Sequence, residues 1–265
     1  MNAAPASQLF SPIQSLGRLP SPLLLLGECR AIFEVGATVA LWPLLCLASK
    51  GDGHPVLVLP GFLAGDESTA VLRGYLCALG YDAQGWRLGL NVGRRRGVHA
   101  AMTRRLHELS EDGLRKVSIV GWSLGGALAR QLAARHAGIV RSVVTLGSPI
   151  SGRLNGTSVD LRYRGISSHT PAEPGLATRV ARAPKVPTTS IYSRSDGIVP
   201  WRASAMQDAA QSENIEVHGS HVGLGANPAV LYAVADRLSQ PEGAWKPFSR
   251  NGPGALVFPD PRRPA

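Results

Sequence analysis

From His54 onward the chain alternates between two kinds of hydrophobic pattern. Short apolar runs at 56–59, 117–120, Val140–Leu146, 188–192 and 215–217 read as strands, most of them covered on both faces. Residues 81–90 supply a further strand. Between the strands, apolar positions recur at helical spacing: Val71, Leu72, Tyr75, Leu76 and Leu79 within 69–79; Met102, Leu106 and Leu109 within Val98–Leu109; and Leu124, Leu128 and Leu132 within 124–136. The first of these helices follows the cap candidates Asp66 and Ser68 and closes at Gly80. A last helix opens with Asn227 as cap and Pro228 at its first position, and runs to Leu238. Strands alternating with helices predict a mostly parallel sheet of about six strands with helices on both faces.

The ends of the chain read differently. Residues 1–21 are rich in Ser, Pro and Ala, and the four leucines 23–26 are followed by a break, Gly27-Glu28-Cys29-Arg30, and an apolar run over 31–48. A secretory signal does not fit, because the first basic residue is Arg18 and four leucines make too short a core. A membrane span fits poorly: the run is near the lower length limit and contains Glu34 and Pro43. The reading that remains is a helix packed on the core, with peripheral membrane contact through 22–48 as a further expectation. The division expected is an N-terminal extension with an apolar helix (1–50), one α/β domain (51–240) and a C-terminal tail (241–265). Within the domain, periodicity disappears over 149–186, which reads as a lid-like connection.

Composition narrows the function classes. Hydrophobic residues are 44% and charged residues 17%, which excludes disorder for the bulk of the chain. The net charge of +10 raises nucleic-acid binding, but the arginines are scattered and no aromatic or glycine-rich RNA-binding motif accompanies them, so no nucleic-acid partner is expected. The cluster Arg94-Arg95-Arg96 reads as a loop tip. Cys29, Cys46 and Cys77 cannot all pair and lack metal-ligand spacing, so neither a disulfide framework, a metal nor a cofactor is expected. The location expected is cytoplasmic, with membrane association only through 22–48.

The chemistry concentrates after the strand at 117–120, in Gly121-Trp122-Ser123-Leu124-Gly125-Gly126. Chance alone supplies roughly 0.3 Gly-x-Ser-x-Gly matches in a chain this rich in glycine, so the motif matters only in context. That context is present: an apolar strand before it, an amphipathic helix after it. A serine at such a reversal sits in strained backbone, and its neighbours two residues away crowd each other unless they lack side chains. Ser123 is therefore the candidate nucleophile. A serine hydroxyl needs a base, and the base an orienting acid. Asp196 in Ser193-Arg194-Ser195-Asp196-Gly197 follows a strand end and would share the rim with Ser123; Asp160 and Asp208 are lesser candidates, and a turn aspartate is the bland alternative. Of seven histidines, His54 opens a strand, His107 and His136 sit on helices, and His99 and His169 lie far from the expected position. His218 shares a strand face with Glu216. His221, in the loop Gly219-Ser220-His221-Val222-Gly223, is the preferred base, with His218 behind it. The backbone N–H groups of Phe62, after Pro60-Gly61, and of Leu124 are the candidate oxyanion donors, leaving both side chains to line an acyl pocket.

Taken together, Val-Leu-Val-Leu-Pro-Gly-Phe at 56–62, Gly-Trp-Ser-Leu-Gly-Gly at 121–126, Thr-Leu-Gly-Ser-Pro at 145–149, Ser-Arg-Ser-Asp-Gly-Ile-Val-Pro at 193–200 and Gly-Ser-His-Val-Gly-Leu at 219–224 resemble the α/β-hydrolase superfamily, most closely its compact bacterial lipases and esterases. The resemblance spans 55–238 and keeps the superfamily's order Ser, Asp, His. It implies a Ser123–His221–Asp196 triad, an acyl-enzyme mechanism and a small-molecule ester or acyl substrate. A thioesterase or acyltransferase would carry the same triad, and a non-catalytic binding module is the alternative outside enzymes. The chain departs from the pattern in having Pro60-Gly61 where many lipases carry His-Gly, and in showing no strand before His54.

Overall fold

The computed structural model describes residues 21–93, 95, 97–151, 180–251 and 254–262. Six strands form one sheet: β1 (Pro55–Leu59), β2 (Asp82–Gly85), β3 (Val117–Trp122), β4 (Val140–Leu146), β5 (Thr188–Ser193) and β6 (Ser212–Val217), in the order β2-β1-β3-β4-β5-β6. Every neighbouring pair is parallel. Among the described residues the α-helices are α1 (Pro22–Leu26), α2 (Ala31–Leu45), α3 (Ala70–Ala78), α4 (Val98–Leu109), α5 (Leu124–Arg135), α6 (Trp201–Ser204), α7 (Pro228–Leu238) and α8 (Gly254–Val257).

Strand alternation splits the core between the two faces of the sheet. Val56, Val58, Val120 and Val144 pack with Leu72, Leu76, Val230 and Val234 beneath α3 and α7. Leu57, Leu59, Ile119 and Val143 pack with Met102, Leu106, Leu128 and Leu132 beneath α4 and α5. All of β1 is buried, as a central parallel strand requires. The chain therefore has the doubly covered α/β sheet expected of it, and its strands all end on one rim.

Two local expectations fail for identifiable reasons. The strand expected over 81–90 stops at Gly85, because the Asp66 carboxylate accepts the N–H groups of both Trp86 and Arg87 at 3.0 Å and takes them out of the ladder. Arg87 then turns the backbone with φ +58°. For the same reason Asp66 does not cap α3; Ser68 donates to the Gly65 carbonyl instead, and the helix starts from a 3-10 turn at Asp66–Thr69. Asn227 does cap α7, accepting from the N–H groups of Ala229 and Val230 ahead of Pro228.

The segment 22–48 folds as α1, a 3-10 turn at Gly27–Arg30, and α2, which lies along α7. Its polarity is inverted. Thr38 is buried and donates to the Ala226 carbonyl, and Glu34 also faces the domain, while Ile32, Phe33 and Val39 stand 70–79% exposed. No helix among the described residues is long and apolar enough to cross a membrane. Beyond residue 240, Phe248 and Phe258 bury against each other edge-to-face at 4.7 Å and cover Tyr232 of α7. The connection 149–186, with Asp160 and His169, falls mostly outside the described residues, as do Arg94 and Arg96.

Candidate active site

The reversal between β3 and α5 places Ser123 at φ +54°, ψ −122°, a conformation that side chains rarely adopt. Its N–H is held by the Leu146 carbonyl at 2.8 Å. The surrounding glycines are steric necessities. A Cβ on Gly121 would sit 2.5 Å from the Gly125 oxygen, and one on Gly125 would strike the carbonyls of Leu59 and Pro60. Gly126, outside the five-residue motif, is equally constrained, since a Cβ there would run into Ser148. Ser123 is thus lifted at the positive end of α5 while remaining only 7% exposed.

Asp196 follows β5 and is 3% exposed. One oxygen, Oδ1, accepts the N–H groups of Ile198 (2.8 Å) and Val199 (2.7 Å), which leaves Oδ2 directed at His221 Nδ1, 2.7 Å away. The opposite ring nitrogen, Nε2, lies 2.9 Å from Ser123 Oγ. Three side chains from three strand ends are therefore in hydrogen-bond contact, all buried. His218 is exposed, and the contacts to Asp196 and Ser123 are made by His221 instead. The shared face expected for His218 and Glu216 does not form, because β6 ends at Val217; Glu216 is buried and pairs with Arg194 at 2.9 Å. Asp208 is exposed.

The turn after β1 reaches the same place. A Cβ on Gly61 would lie 3.3 Å from Ser123 Cβ, so glycine lets this loop approach Ser123 without crowding it, and Phe62 follows. Leu124 is the first residue of α5. The loop is buckled by Asn91, which is fully buried: its side-chain amide donates to the Pro60 carbonyl at 2.8 Å and its backbone oxygen accepts the Leu63 N–H.

Sequence reasoning missed several supporting residues. Asn91 stands in an unpatterned stretch. Gly147, with φ +53°, packs so tightly on the centre that a Cβ would be 3.1 Å from both Asp196 Oδ2 and His221 Nδ1; the only signal was its place in Thr-Leu-Gly-Ser-Pro. Glu28, Arg30 and Glu34 reach in from the N-terminal segment, where their interruption of an apolar run was visible but their target was not.

A second Ser–His–Asp chain lies at the other end of the sheet. His54 contacts Asp52 through Nδ1 and Ser118 Oγ through Nε2, the latter at 2.9 Å. Ser118 is wholly buried inside β3 and bonded to Ser142, with no helix start behind it. What separates the two is the strained, rim-mounted backbone of Ser123. Among the described residues no group of His, Cys, Asp or Glu is arranged to hold a metal ion.

Residues 95–183 match a family model described as the alpha/beta hydrolase fold. No curated protein sequence matches the chain. Among solved structures, the chain is similar to one from work on LipS and LipT, two metagenome-derived lipolytic enzymes (19% identity, 72% of this chain and 94% of that one, TM-score 0.53). It is also similar to Aspergillus fumigatus lipase B (20% identity, TM-score 0.55), covering 73% of this chain but 54% of that one. An alpha/beta hydrolase fold protein from Nakamurella multipartita matches at 19% identity over 71% of this chain and 93% of that one, with a TM-score of 0.50. The sheet order, the family match around the β3–α5 reversal and these likenesses identify the chain as a protein of the α/β-hydrolase fold.

Proposed function

We propose that this protein is a serine hydrolase that cleaves carboxylic esters through an acyl-enzyme on Ser123. The observation that carries the reading is the contact chain Ser123 Oγ–His221 Nε2 (2.9 Å) and His221 Nδ1–Asp196 Oδ2 (2.7 Å), mounted on a strained strand-to-helix reversal. Lipolytic enzymes among the similar structures support it at the level of fold.

In this reading His221 Nε2 takes the Ser123 proton as Oγ attacks the ester carbonyl. The oxyanion of the tetrahedral intermediate is received by the N–H of Leu124, at the start of α5, and by that of Phe62, in the turn that Gly61 brings against Ser123. The intermediate collapses as His221 returns the proton to the departing alkoxide, which leaves as the alcohol. Water, deprotonated by the same nitrogen, then attacks the acyl-serine and releases the acid. Asp196 holds Nδ1–H, fixing the tautomer with Nε2 free to accept, and stabilises the imidazolium that forms. The side chains of Phe62 and Leu124 line the acyl subsite.

Labelling with a fluorophosphonate tests the reading. The native protein is expected to take one label, on Ser123, and to hydrolyse p-nitrophenyl acetate; Ser123→Ala is expected to lose both. An unlabelled native protein, or a Ser123→Ala variant that hydrolyses at the native rate, overturns it.

A further inference from the structure

Three charged residues occur between Pro22 and Ser49, namely Glu28, Arg30 and Glu34, and all three turn inward. Their targets are two loops: the one carrying Asp196 and the one carrying His221. Glu28, 8% exposed, accepts through Oε1 the N–H of Gly197 (2.7 Å) and the N–H of His221 itself (3.0 Å), and through Oε2 the N–H of Val222 (2.8 Å). Arg30 repeats the pattern, donating to the Ser195 carbonyl (2.7 Å) and the Gly219 carbonyl (2.8 Å). Glu34 accepts the Ser220 N–H (2.6 Å) and pairs with Arg30 at 3.7 Å.

A buried carboxylate is costly unless its lone pairs are used, and here they are used by backbone groups on either side of the Asp196–His221 hydrogen bond. A second, steric observation agrees. A Cβ on Gly197 would collide with the Leu24 carbonyl and lie 2.8 Å from the Leu25 nitrogen, so the glycine after Asp196 is what lets α1 come down onto that loop. The two loops share no strand pairing beyond Ser193 and Val217, where β5 and β6 end. Past those residues, apart from the Asp196–His221 contact, the loops meet directly at Gly219, whose carbonyl accepts from Ser195 Oγ and whose N–H donates to Ser193 Oγ, both at 3.2 Å. The 3-10 turn at Gly27–Arg30 bridges them nearer Asp196 and His221 through its side chains.

We propose that Glu28 is a positioning residue for the hydrolytic centre: its carboxylate holds the Asp196 loop and the His221 loop at the separation that the Asp196–His221 contact requires. The proposal rests on the reading of Ser123 as nucleophile. Glu28 touches no reacting atom; it acts through the backbone of His221 and Gly197.

The test compares full-length native protein, Glu28→Gln, Glu28→Ala and the outer-face control Ile32→Ser. The measurements are the fluorophosphonate inactivation rate, kcat and KM for p-nitrophenyl acetate, and the folded fraction by circular dichroism. Glu28→Gln keeps an oxygen for Gly197 and His221 but presents N–H to Val222, so a fall of roughly 3–10-fold in inactivation rate is expected. Glu28→Ala loses all three contacts, with a fall of roughly 30–100-fold, the scale of a sub-ångström to 1 Å misplacement. The loss is expected in kcat, with KM within about twofold, and Ile32→Ser is expected to stay within about twofold of native throughout. If Glu28→Ala does not fold, Glu28→Asp, too short to reach both loops, takes its place. Folded variants that react at the native rate, or whose loss lies entirely in KM, overturn the proposal while leaving Ser123 in its role. A native protein that takes no label overturns both.

Discussion

Trp122, the residue before Ser123, donates its indole N–H to the backbone carbonyl of His221 at 3.1 Å. The β3–α5 reversal and the His221 loop are thereby joined by a bond independent of the contacts among Ser123, His221 and Asp196. Together with Glu28 on the N–H of the same residue, it fixes the His221 peptide from both sides.

Trp122→Phe is expected to remove that bond while keeping an aromatic ring against Gly225, which the indole contacts closely. A single neutral hydrogen bond contributes about 0.5–1.5 kcal/mol net, so stability should fall by that amount and the rate of Ser123 labelling by about 3–10-fold. Urea unfolding and inactivation kinetics on one preparation check both. A labelling rate equal to native would mean that the histidine loop holds its place without the indole.

Gly147→Ala addresses the other side of the centre. The φ of +53° alone costs about 1–2 kcal/mol for an alanine, and the added Cβ would stand 3.1 Å from Asp196 Oδ2 and His221 Nδ1. Its closest conflict is Leu224 Cδ1 at 2.6 Å, so Leu224, the Asp196–His221 pair or the end of β4 must shift. The expected result is a loss of about 10²-fold in ester hydrolysis with the fold retained, read as kcat/KM beside a thermal melt. Native kcat/KM would show that the pair tolerates the displacement.

Why some of this was legible in sequence and some not follows from the range of each interaction. The strands at 56–59 and 117–120 and the helices they feed are decided by local pattern, so the parallel sheet and the place of Ser123 could be read directly. The preference for His221 over His218 rested on a local signal, the glycines flanking His221; the strand face assigned to His218 was wrong, because β6 ends at Val217. The strand at 81–90 was overestimated because its termination depends on Asp66, some twenty residues earlier, whose carboxylate captures two of its N–H groups. Glu28 lies 169 residues from Gly197 and 193 from His221, and no periodicity reports contacts at that separation. The apolar run over 31–48 hid its own orientation, since a helix with Thr38 inside and Phe33 outside breaks the rule by which amphipathic faces are assigned.

The Ser118–His54–Asp52 chain at the far end of the sheet, buried at Ser118 and His54 and exposed at Asp52, sets a pH dependence of stability. Burial pushes the His54 imidazole below its ordinary 6.5, helped by Arg141 and opposed by the hydrogen bond to Asp52. Burial and the neighbouring His107 and Arg135 also lower His136. Each ring binds its proton more readily unfolded than folded, so stability falls as pH drops below about 6.5 and is restored above it. Asp52 acts in a lower window: burial would raise it, but hydrogen bonds from His54 and Arg141 outweigh that and hold it well below 3.8, so its contribution is present above 3.8 and is lost as pH falls below that value. Urea unfolding between pH 7 and 5 should show declining stability in the native protein and a shallower decline in His54→Gln. Equal slopes would place the linkage elsewhere.

Arg130 of α5 supplies a different kind of constraint. It is 1% exposed, and among the described residues no carboxylate lies within 4 Å of it. Instead Nε donates to the Val180 carbonyl at 2.8 Å, Nη2 to the Ala181 carbonyl at 3.1 Å, and Nη1 to Met206 Sδ at 2.8 Å. Burial lowers the guanidinium to about 10, which still leaves it charged at neutral pH. Through these bonds the guanidinium ties the end of the long connection after β4 to the helix that begins at Leu124. Arg130→Met fills much of the volume but strands the buried Val180 carbonyl, at about 1–3 kcal/mol, while the exposed Ala181 can turn its carbonyl to water; relief of a desolvated charge is partly offsetting. The expected net loss is about 1–2 kcal/mol, seen as a lower urea midpoint at unchanged m-value. A variant as stable as native would show that water or a neighbouring donor replaces the guanidinium, and that the charge, not the bonds, dominated the balance.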